Sequence, residues 1–307
     1  MTTSPHPQLQ ELPTGSVEHF PGPWLLKGQV FMVPFRIPKK SVSDMPKSLM
    51  YSPLEKSLHS DASSSGEFLG GLGMFQIIRY SSSPVGPYDE LIVAPGSYTW
   101  TEEKKGSDST VTKKTRRNIR ISRIYVSQKY TCWNGRKNWN IPKHLASFEF
   151  TDNPDGSVTV QVYPHDLHPS TDPAESKPST VPFLTATMKS VPFVPSFPAT
   201  TSLAGMIGMD ISLVQPPLPE GNGSQDELPG TSDWARILPV QKSWKTHAVW
   251  VDLKQEDLPA GATTPKGMEG RAENFFPGLS RWILGARMDD ATIDLEAGKH
   301  WPKPKLA

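Results

Sequence analysis

One lysine of this chain stands in a segment that could present it for covalent chemistry. Lys143 follows Ile141-Pro142 within YVSQKYTCWNGRKNWNIPKHLA, residues 125–146. Proline fixes its own φ and biases the preceding residue toward an extended conformation, so a rigid segment delivers Lys143 to the start of a new strand. Its apolar sequence neighbours are Trp139, Ile141, Leu145 and Phe148.

Desolvation by these neighbours would favour the neutral amine of Lys143 over the ammonium. A neutral amine at about pH 7 is a nucleophile for carbonyl groups. The alternative is a surface lysine whose stem covers apolar neighbours while its ammonium stays in water. The positions of Lys143 and its apolar neighbours in the sequence, taken by themselves, favour this alternative over a nucleophilic lysine.

A carboxylate begins a second candidate strand. Glu90 follows the turn SPVGPY, residues 83–88. Beside a buried amine, such a carboxylate could shuttle protons or hold an iminium. Taken by itself, this segment favours the alternative of an exposed acidic residue that closes a turn.

The sequence does not contain the motifs of several other kinds of catalytic or binding site. The chain has no Gly-x-Ser-x-Gly nucleophile elbow and no Walker A loop, and Gly71-Leu72-Gly73 lacks the third glycine of a dinucleotide-binding loop. His165 and His168 have the spacing of metal ligands, but no third ligand is near them in the sequence. We therefore expect no metal and no cofactor.

Charge and composition exclude several partners. The 307 residues carry a formal net charge of +1, without the basic excess that is usual for a nucleic-acid binder. No run of about 18 apolar residues could span a membrane, and the polar N-terminus shows no signal peptide. The single cysteine, Cys132, suits a reducing compartment. We expect a cytoplasmic protein that binds a small molecule, and homo-oligomerisation stays open.

The pattern of apolar residues predicts strands. The 32 prolines oppose long helices, and alternation predicts an antiparallel hairpin of residues 147–150 and 157–163. Further strands are predicted at residues 29–35, 74–80, 90–93, 118–126, 183–188 and 247–253, and helices at 129–138, 271–276 and 280–286. Seven or more strands with few short helices and long Pro-rich loops predict a mainly β (α+β) fold, in which the sheet closes into a barrel or forms a sandwich.

One domain is expected over residues 21–307. Residues 1–20 are rich in Pro, Thr, Ser and Gln and are predicted to be disordered. The segments near residues 101–114, 166–180 and 215–233 are predicted to be loop insertions on the surface of this domain, because none of them has an apolar face that it could bury.

Together, the two chemical segments resemble motifs of the acetoacetate decarboxylase superfamily. That family shows Gly-x-Tyr-x-Glu, then Gly-Arg-Glu, then Pro-Lys-Lys-Leu, after an opening strand. The matching residues are Gly22-Pro23-Trp24, Gly86, Tyr88 and Glu90, Gly135-Arg136-Lys137, and Pro142-Lys143-His144-Leu145. The similarity covers roughly residues 20–165.

The resemblance implies a cone-like closed β-barrel of the acetoacetate decarboxylase-like type with a buried, mostly apolar pocket. It also implies that Lys143 forms a Schiff base and that Glu90 is the acid/base carboxylate. On the same basis, the residues expected to bind substrate are Tyr88, Arg136, Trp139, His144 and Gln29.

Three substitutions depart from the family pattern. A neighbouring cation helps to activate the lysine of acetoacetate decarboxylase, but here the second lysine is His144, which need not be charged at about pH 7. Adjacent strand residues point to opposite faces, so a His144 that faces away from the pocket is an open alternative. Lys137 changes the local charge, and Gln29 in place of an arginine removes one partner for a small carboxylate.

The sequence therefore predicts an acetoacetate decarboxylase-like lyase that acts on a β-keto acid or a larger ketone through an imine at Lys143. One alternative is a lysine-dependent aldolase, dehydratase or cyclase that tailors a natural-product ketone in secondary metabolism. The other is a non-catalytic barrel that binds a small apolar ligand.

Overall fold

The computed structural model describes residues 17–45, 47–52, 54–55, 65–105, 111–165, 182–206, 208, 210–221, 226–253, 279 and 282–302. The strands in these ranges are β1 (Trp24–Ile37), β2 (Phe68–Ser82), β3 (Tyr88–Ala94), β4 (Gly96–Lys105), β5 (Val111–Arg120), β6 (Arg123–Val126), β7 (Lys143–Asp152), β8 (Val158–Pro164), β9 (Leu184–Ser190), β10 (Phe197–Thr200), β11 (Leu213–Gln215), β12 (Asp233–Ile237), β13 (Pro239–Leu253), β14 (Trp282–Leu295) and β15 (Lys299–Pro302). The helices are α1 (Lys47–Met50), α2 (Lys129–Trp139) and α3 (Ser202–Met206), and a 3-10 helix spans Lys39–Ser41.

Nine strands close into a barrel. Their order is β1-β14-β13-β9-β8-β7-β6-β3-β2, and β2 pairs again with β1. Neighbours in the barrel are antiparallel except β6 and β7, which are parallel and are connected by α2. All nine strands contribute apolar side chains to one cluster, so this cluster fills the interior of the barrel. The predicted mainly β fold with a closed barrel is confirmed.

A second sheet covers part of the outer surface of the barrel. It continues from the start of β2 through β4, β5, β11, β12 and β15. A second apolar cluster joins this sheet to the barrel, with Leu213 of β11 and Ile237 of β12 beside Trp24 of β1 and Ile78 of β2. Helix α2 adds Trp139 to the same cluster. The candidate site lies in this outer layer.

Strand β3 shows how the two layers are separated. Leu91 and Val93 lie in the barrel interior, whereas Tyr88 belongs to the outer cluster and Glu90 lines a cavity there. Successive side chains of a strand point to opposite faces, so the side chains of β3 pack alternately into the barrel interior and into the outer layer. The barrel interior can therefore stay apolar while polar groups collect on its outer face.

The helix predicted at residues 280–286 is wrong over residues 282–286, which begin β14. This strand pairs with β1 on one side and with β13 on the other. Two ladders of hydrogen bonds to distant segments override a short local helical pattern, because propensity is only a weak prior. The predicted helix at residues 129–138 is confirmed as α2, and residues 271–276 lie outside the described residues.

The charged segment at residues 101–114 was predicted as a loop, but most of it is strand. Strand β4 extends to Lys105 and β5 begins at Val111. Glu103 lies opposite Lys113, with 3.4 Å between the carboxylate oxygen and Nζ. Opposite charges directly across an antiparallel pair stabilise it, which explains why a polar run forms a hairpin. Residues 106–110 lie outside the described part.

The segment at residues 215–233 also differs from the expectation, because it buries Leu218 and Leu228. At the N-terminal side, the backbone N–H of Phe20 donates a hydrogen bond of 2.7 Å to Oδ1 of Asn134, which ties the chain to α2. Residues 1–16 of the predicted disordered tail and the insertion at residues 166–180 lie outside the described residues. Within the ranges that the structure describes, no helix has the length and apolar character needed to cross a membrane.

Candidate functional site

The Lys143 amine and the Glu90 carboxylate form a buried ion pair. Nζ of Lys143 lies 2.6 Å from Oε2 of Glu90, and the two residues are 4% and 3% exposed. Strand register brings them together across β6, since Glu90 of β3 lies opposite Val126 and Lys143 of β7 lies opposite Ile124. The two residues that the sequence motifs singled out are therefore in direct contact.

Three further side chains surround the pair. Nζ of Lys143 donates a second hydrogen bond of 2.9 Å to Oγ1 of Thr131, and the hydroxyl of Tyr80 donates to Oε1 of Glu90 at 3.1 Å. The same Nζ lies 5.3 Å from the ring centroid of Tyr88, within the range of cation–π attraction. Both oxygens of the carboxylate and the ammonium thus have defined partners.

Both tyrosines remain protonated. Burial, and after it the charge of Glu90, raises the pKa of the Tyr80 and Tyr88 hydroxyls well above the ordinary value of 10.0. A neutral hydroxyl can donate a hydrogen bond, so Tyr80 keeps its bond to Glu90 throughout the neutral pH range.

The pair opens onto a cavity of about 320 Å³ between the barrel and the second sheet. The apolar side chains that line it are those of Trp24, Leu26, Met32, Pro34, Leu72, Met74, Ile92, Ala94, Ile119, Ile121, Ile124, Trp139, Ile141, Ile211, Leu213, Ile237, Pro239, Ile293 and Leu295. The polar side chains are those of Gln76, Tyr80, Tyr88, Glu90, Lys143, Thr200, Thr201 and Gln241. Among the described lining residues, Lys143 is the only cation.

Helix α2 positions Lys143 through its two ends. At the start, the Gln128 side chain accepts a hydrogen bond of 3.0 Å from the backbone N–H of Thr131 and donates one of 2.6 Å to the carbonyl of Val85. This cap ties the helix to the turn that precedes β3. At the other end, Asn140 adopts a left-handed conformation with φ of 52°, which ends the helix and redirects the chain into β7.

Gly135 of α2 lies against the Lys143 side chain. A Cβ on Gly135 would stand 2.6 Å from Cδ and from Cε of Lys143, and 3.3 Å from Nζ. Carbon atoms in favourable contact are about 3.5–4.0 Å apart, so a side chain here would displace the lysine. Glycine is therefore needed at this position of the Gly-Arg motif, because the absence of a side chain leaves space for the aliphatic part of Lys143.

The neighbouring residue, Arg136, belongs to a second buried cluster around Glu55. Nη1 of Arg136 donates to Oε1 of Glu55, and Nε2 of His144 lies 2.9 Å from the same oxygen. Arg136 also donates to the carbonyls of Pro219 and Pro229, at 2.8 Å and 3.1 Å. This cluster fastens the 215–233 segment to α2 and β7.

The Glu55 carboxylate is held in its ionised form. Burial by itself raises the pKa of Glu55, but the charge of Arg136, followed by the hydrogen bond and charge of His144, outweighs burial and leaves the pKa lowered. His144 thus helps to hold the charge of Glu55 through the contact of 2.9 Å.

The structure brings some of the predicted site residues together and separates others. Lys143, Glu90, Tyr88 and Trp139 line the cavity. The remaining three, Arg136, His144 and Gln29, are absent from the described lining. Arg136 and His144 contact Glu55, and Gln29 donates a hydrogen bond of 3.0 Å to Asp289. Their positions give no support to the prediction that these three bind substrate.

Sequence reasoning missed several residues of the site. Tyr80 lies opposite Tyr88 in the pairing of β2 with β3, so a predicted hairpin register could have identified it. Thr131, which contacts Nζ of Lys143, stands in the first turn of α2 and could have been found once that helix was set beside Lys143. Gln76 and Gln241 come from strands that are not neighbours in the barrel, and no local pattern links them.

Replacement of Glu55 by glutamine is expected to destabilise the protein at about pH 7 by roughly 3–5 kcal/mol, because it leaves the buried Arg136 without its counter-charge. Since the pKa of Glu55 is lowered in the folded state, its contribution is present above the unfolded carboxyl pKa of about 4.3 and is lost as pH falls through the folded pKa. The free energies of unfolding of wild type and Glu55→Gln should therefore converge in acid. Urea denaturation from about pH 7 down to about pH 3 measures this.

Glu102→Gln is the matched control, because Glu102 pairs with Arg116 on the exposed β4–β5 hairpin. We expect a much smaller effect from this variant, as for surface ion pairs in general. Equal destabilisation by both variants, or a difference between wild type and Glu55→Gln that is constant with pH, would contradict the role assigned to Glu55.

Comparison with known proteins gives matches only among solved structures. No protein-family model and no curated protein sequence matches the chain significantly. A crystal structure of acetoacetate decarboxylase from Legionella pneumophila is 12% identical, with a TM-score of 0.48 over 92% of this chain and 88% of that one. The enduracididine biosynthesis enzyme MppR, complexed with pyruvate, is 12% identical with a TM-score of 0.48 over 92% of both chains.

A third match is an acetoacetate decarboxylase-like enzyme from Sphingomonas wittichii RW1, which is 9% identical with a TM-score of 0.46 over 96% of this chain and 99% of that chain. At such identities the likeness concerns the fold and not the reaction. The solved structures to which this chain is similar are thus an acetoacetate decarboxylase, the enzyme MppR and an acetoacetate decarboxylase-like enzyme.

Proposed function

We propose that this protein is an acetoacetate decarboxylase-like lyase that forms an imine between Lys143 and the carbonyl carbon of a ketone or β-keto acid. The observation that carries the proposal is the buried contact of 2.6 Å between Lys143 and Glu90 at the wall of an apolar cavity. An amine next to a proton acceptor, away from water, is the arrangement that nucleophilic catalysis by lysine needs.

Imine formation begins with transfer of a proton from the Lys143 ammonium to Glu90. The neutral amine attacks the carbonyl carbon, and proton transfer from nitrogen to oxygen gives a neutral carbinolamine. Glu90 then protonates the hydroxyl, which leaves as water, so that an iminium stands beside a carboxylate again. Because the charges at the end equal those at the start, the surrounding hydrogen bonds need little rearrangement.

Decarboxylation follows when the substrate carries a carboxylate on the α carbon. The carbon–carbon bond to the carboxylate breaks, its electron pair moves toward the iminium nitrogen, and carbon dioxide and an enamine result. A proton relayed from water by Glu90 is added to the α carbon, and hydrolysis of the iminium releases the product ketone. Tyr80 holds the carboxylate through Oε1, and the Tyr88 ring faces the cationic nitrogen.

A second candidate function is a lysine-dependent aldolase, dehydratase or cyclase, which uses the same iminium and enamine without releasing carbon dioxide. One observation favours it: Lys143 is the only cation among the described lining residues. The iminium keeps the charge of this lysine, but Glu90 already pairs with that charge, so a substrate carboxylate would lie in the cavity without a cation of its own, which is costly.

Borohydride reduction in the presence of ketones, followed by intact-protein mass spectrometry, tests the common step. Imine formation predicts a covalent adduct at Lys143, and a barrel that only binds an apolar ligand predicts none. Release of carbon dioxide from a panel of β-keto acids then separates decarboxylation from the other imine reactions.

Lys143→Met should give no trapped adduct and no measurable turnover, because it removes the amine and keeps the length of the stem. Loss of one partner leaves Glu90 buried and unpaired, so thermal stability should fall. The double variant Lys143→Met with Glu90→Gln removes that unpaired charge and should recover stability without recovering activity. Turnover of either variant within about tenfold of wild type would refute the imine mechanism, because nucleophiles contribute far more.

Glu90→Gln should slow imine formation by roughly 10²-fold or more, since the amide keeps the shape of the carboxylate but cannot carry the proton. Single-turnover trapping with borohydride measures this step directly. The control is Glu149→Gln, an exposed carboxylate on β7 that accepts a hydrogen bond of 2.9 Å from Tyr163. Equal rates for wild type and Glu90→Gln would remove Glu90 from the proton path.

Gly135→Ala should separate activity from stability. The new Cβ meets the flexible end of the Lys143 side chain, so the lysine moves and the helix stays. Alanine favours a helix over glycine by roughly 0.5–1 kcal/mol, so the melting temperature should not fall. A displacement of about 1 Å can cost about 10²-fold in rate.

Gly205→Ala in α3 is the matched control, because nothing lies within 4 Å of a Cβ at that position. Trapping rates and melting temperatures of both variants decide the question. Wild-type rates in Gly135→Ala would contradict the view that this glycine seats the lysine.

A further inference from the structure

Thr131 contacts the nitrogen of Lys143 and takes no part in the mechanism above. Its Oγ1 accepts a hydrogen bond of 2.9 Å from Nζ, and the residue is 0% exposed. Thr131 is not among the described residues that line the cavity, so it reaches the amine from the side of α2. Any effect of its hydroxyl on a reaction is therefore exerted on the lysine and not on a substrate.

Both the backbone and the side chain of Thr131 hold Oγ1 in place. The backbone N–H donates a hydrogen bond of 3.0 Å to the side chain of Gln128, which in turn donates one of 2.6 Å to the carbonyl of Val85. The side chain is β-branched and stands in a helix, where few χ1 rotamers are allowed. Oγ1 is thus a fixed acceptor to which the flexible end of Lys143 adjusts.

The hydroxyl hydrogen of Thr131 is engaged by Tyr88. Burial, followed by the charge of Glu90, raises the pKa of Tyr88, and a hydrogen bond with Thr131 acts against this rise. A hydroxyl stabilises a tyrosinate when it donates to the phenolic oxygen, so Thr131 is the donor in this bond. A threonine hydroxyl has one hydrogen and two lone pairs, and its lone pairs are left for Nζ of Lys143.

The ammonium of Lys143 has three N–H bonds, and the protein accepts two of them. One is directed to Oε2 of Glu90 at 2.6 Å and a second to Oγ1 of Thr131 at 2.9 Å. Among the described residues, none accepts a hydrogen bond from the third. Cε occupies the fourth position of the tetrahedral nitrogen, so the third N–H direction is the one left for a substrate in the cavity.

Under the proposed function, the nitrogen lone pair has to take this third direction before it can attack a carbonyl carbon. Glu90 removes the proton that faces it, so the lone pair of the neutral amine points at first to Glu90. Rotation about the Cε–Nζ bond by about 120°, from one staggered position to the next, moves the lone pair to the third direction. N–H bonds then face Thr131 and Glu90, since a protonated carboxyl group keeps acceptor capacity. The opposite rotation would turn the lone pair toward the lone pairs of Oγ1, which repel it.

We propose that Thr131 is a positioning residue that directs the lone pair of the neutral Lys143 amine into the cavity. The reaction in this inference rests on the proposed function, and the role of Thr131 rests on its contact of 2.9 Å with Nζ. A fixed acceptor binds an N–H and disfavours a lone pair. The hydroxyl thus selects, from three staggered orientations, the one in which the nitrogen is aligned for attack.

Three variants at position 131 separate this role from packing. Thr131→Ser keeps the hydroxyl, Thr131→Val keeps the shape without it, and Thr131→Ala leaves space for one water that can accept the N–H. The first-order rate of imine formation should decrease in the order serine, alanine, valine, with serine within about threefold of wild type and valine slower by about tenfold or more. A residue that only packs predicts alanine to be slower than valine, because alanine leaves the larger cavity.

Borohydride trapping of benzylacetone under single-turnover conditions measures this rate. Its dependence on ketone concentration also gives the dissociation constant of the non-covalent complex, which should stay within about twofold because Thr131 does not touch the ligand. Thr246→Val is the control, since Thr246 of β13 is 1% exposed and is not among the described lining residues. Equal rates for Thr131→Val and wild type, or a valine variant faster than the alanine variant, would overturn the inference.

Methylation with formaldehyde and cyanoborohydride separates this inference from the proposed function, because it measures the reactivity of the amine toward the smallest aldehyde. Peptide mass spectrometry follows Lys143, with the exposed Lys242 as internal reference. Methylation in the order serine, alanine, valine, without any ketone adduct in wild type, supports the role of Thr131 and contradicts imine formation with ketones. Ketone adducts that form at equal rates in all four proteins support imine formation and overturn the role of Thr131. Labelling of Lys242 without labelling of Lys143 in wild type overturns both.

Discussion

An ammonium and a carboxylate that are buried together depend on each other, and the pair of Lys143 and Glu90 constrains the structure around it. Each ion loses its hydration on burial, and removal of one partner from such a pair costs roughly 3–5 kcal/mol. A buried pair is favourable only when its remaining donors and lone pairs are also satisfied. Thr131 and Tyr80 meet this requirement, and the ring of Tyr88 faces the ammonium. Polar groups are thereby concentrated at one place in an otherwise apolar layer.

Helix α2 connects this pair with the second buried charge cluster. Gly135 gives space to the stem of Lys143, and the next residue, Arg136, binds Glu55. Successive residues of a helix lie about 100° apart around its axis, so Gly135 and Arg136 can face different neighbours. Strand β7 makes the same division, because Lys143 lines the cavity and His144 contacts Glu55. Adjacent residues of the motif therefore position the Lys143 amine and anchor the fold.

The sequence predicted the parts of the structure that depend on local patterns. Alternation of apolar residues identified the β7–β8 hairpin and most barrel strands, and the helix predicted at residues 129–138 corresponds to α2. Residues 282–286 were assigned wrongly because their strand is held by β1 and β13, which are distant in the chain. The 101–114 hairpin was missed because cross-strand charge pairs stabilise it instead of apolar alternation.

Within the site, motif matching identified the contact of Lys143 with Glu90 but misread the neighbours. Arg136 lies seven residues before Lys143 and His144 directly after it, yet both contact Glu55 and neither is among the described residues that line the cavity. Glu55 itself belongs to no motif. Strand alternation allowed for a His144 that faces away from the pocket, but nothing in the sequence placed Glu55 beside either residue.

The side chains that line the cavity come from two parts of the chain. Lys143 and Glu90 lie within the roughly 20–165 region that resembles the superfamily. Further lining residues come from β11, β12, β13 and β14, where the motifs give no resemblance. A change in these strands would alter the shape and polarity of the cavity without touching the ion pair. Under the proposed function, the ion pair would carry the imine chemistry, and residues that no motif of the superfamily includes would shape the space for the ligand.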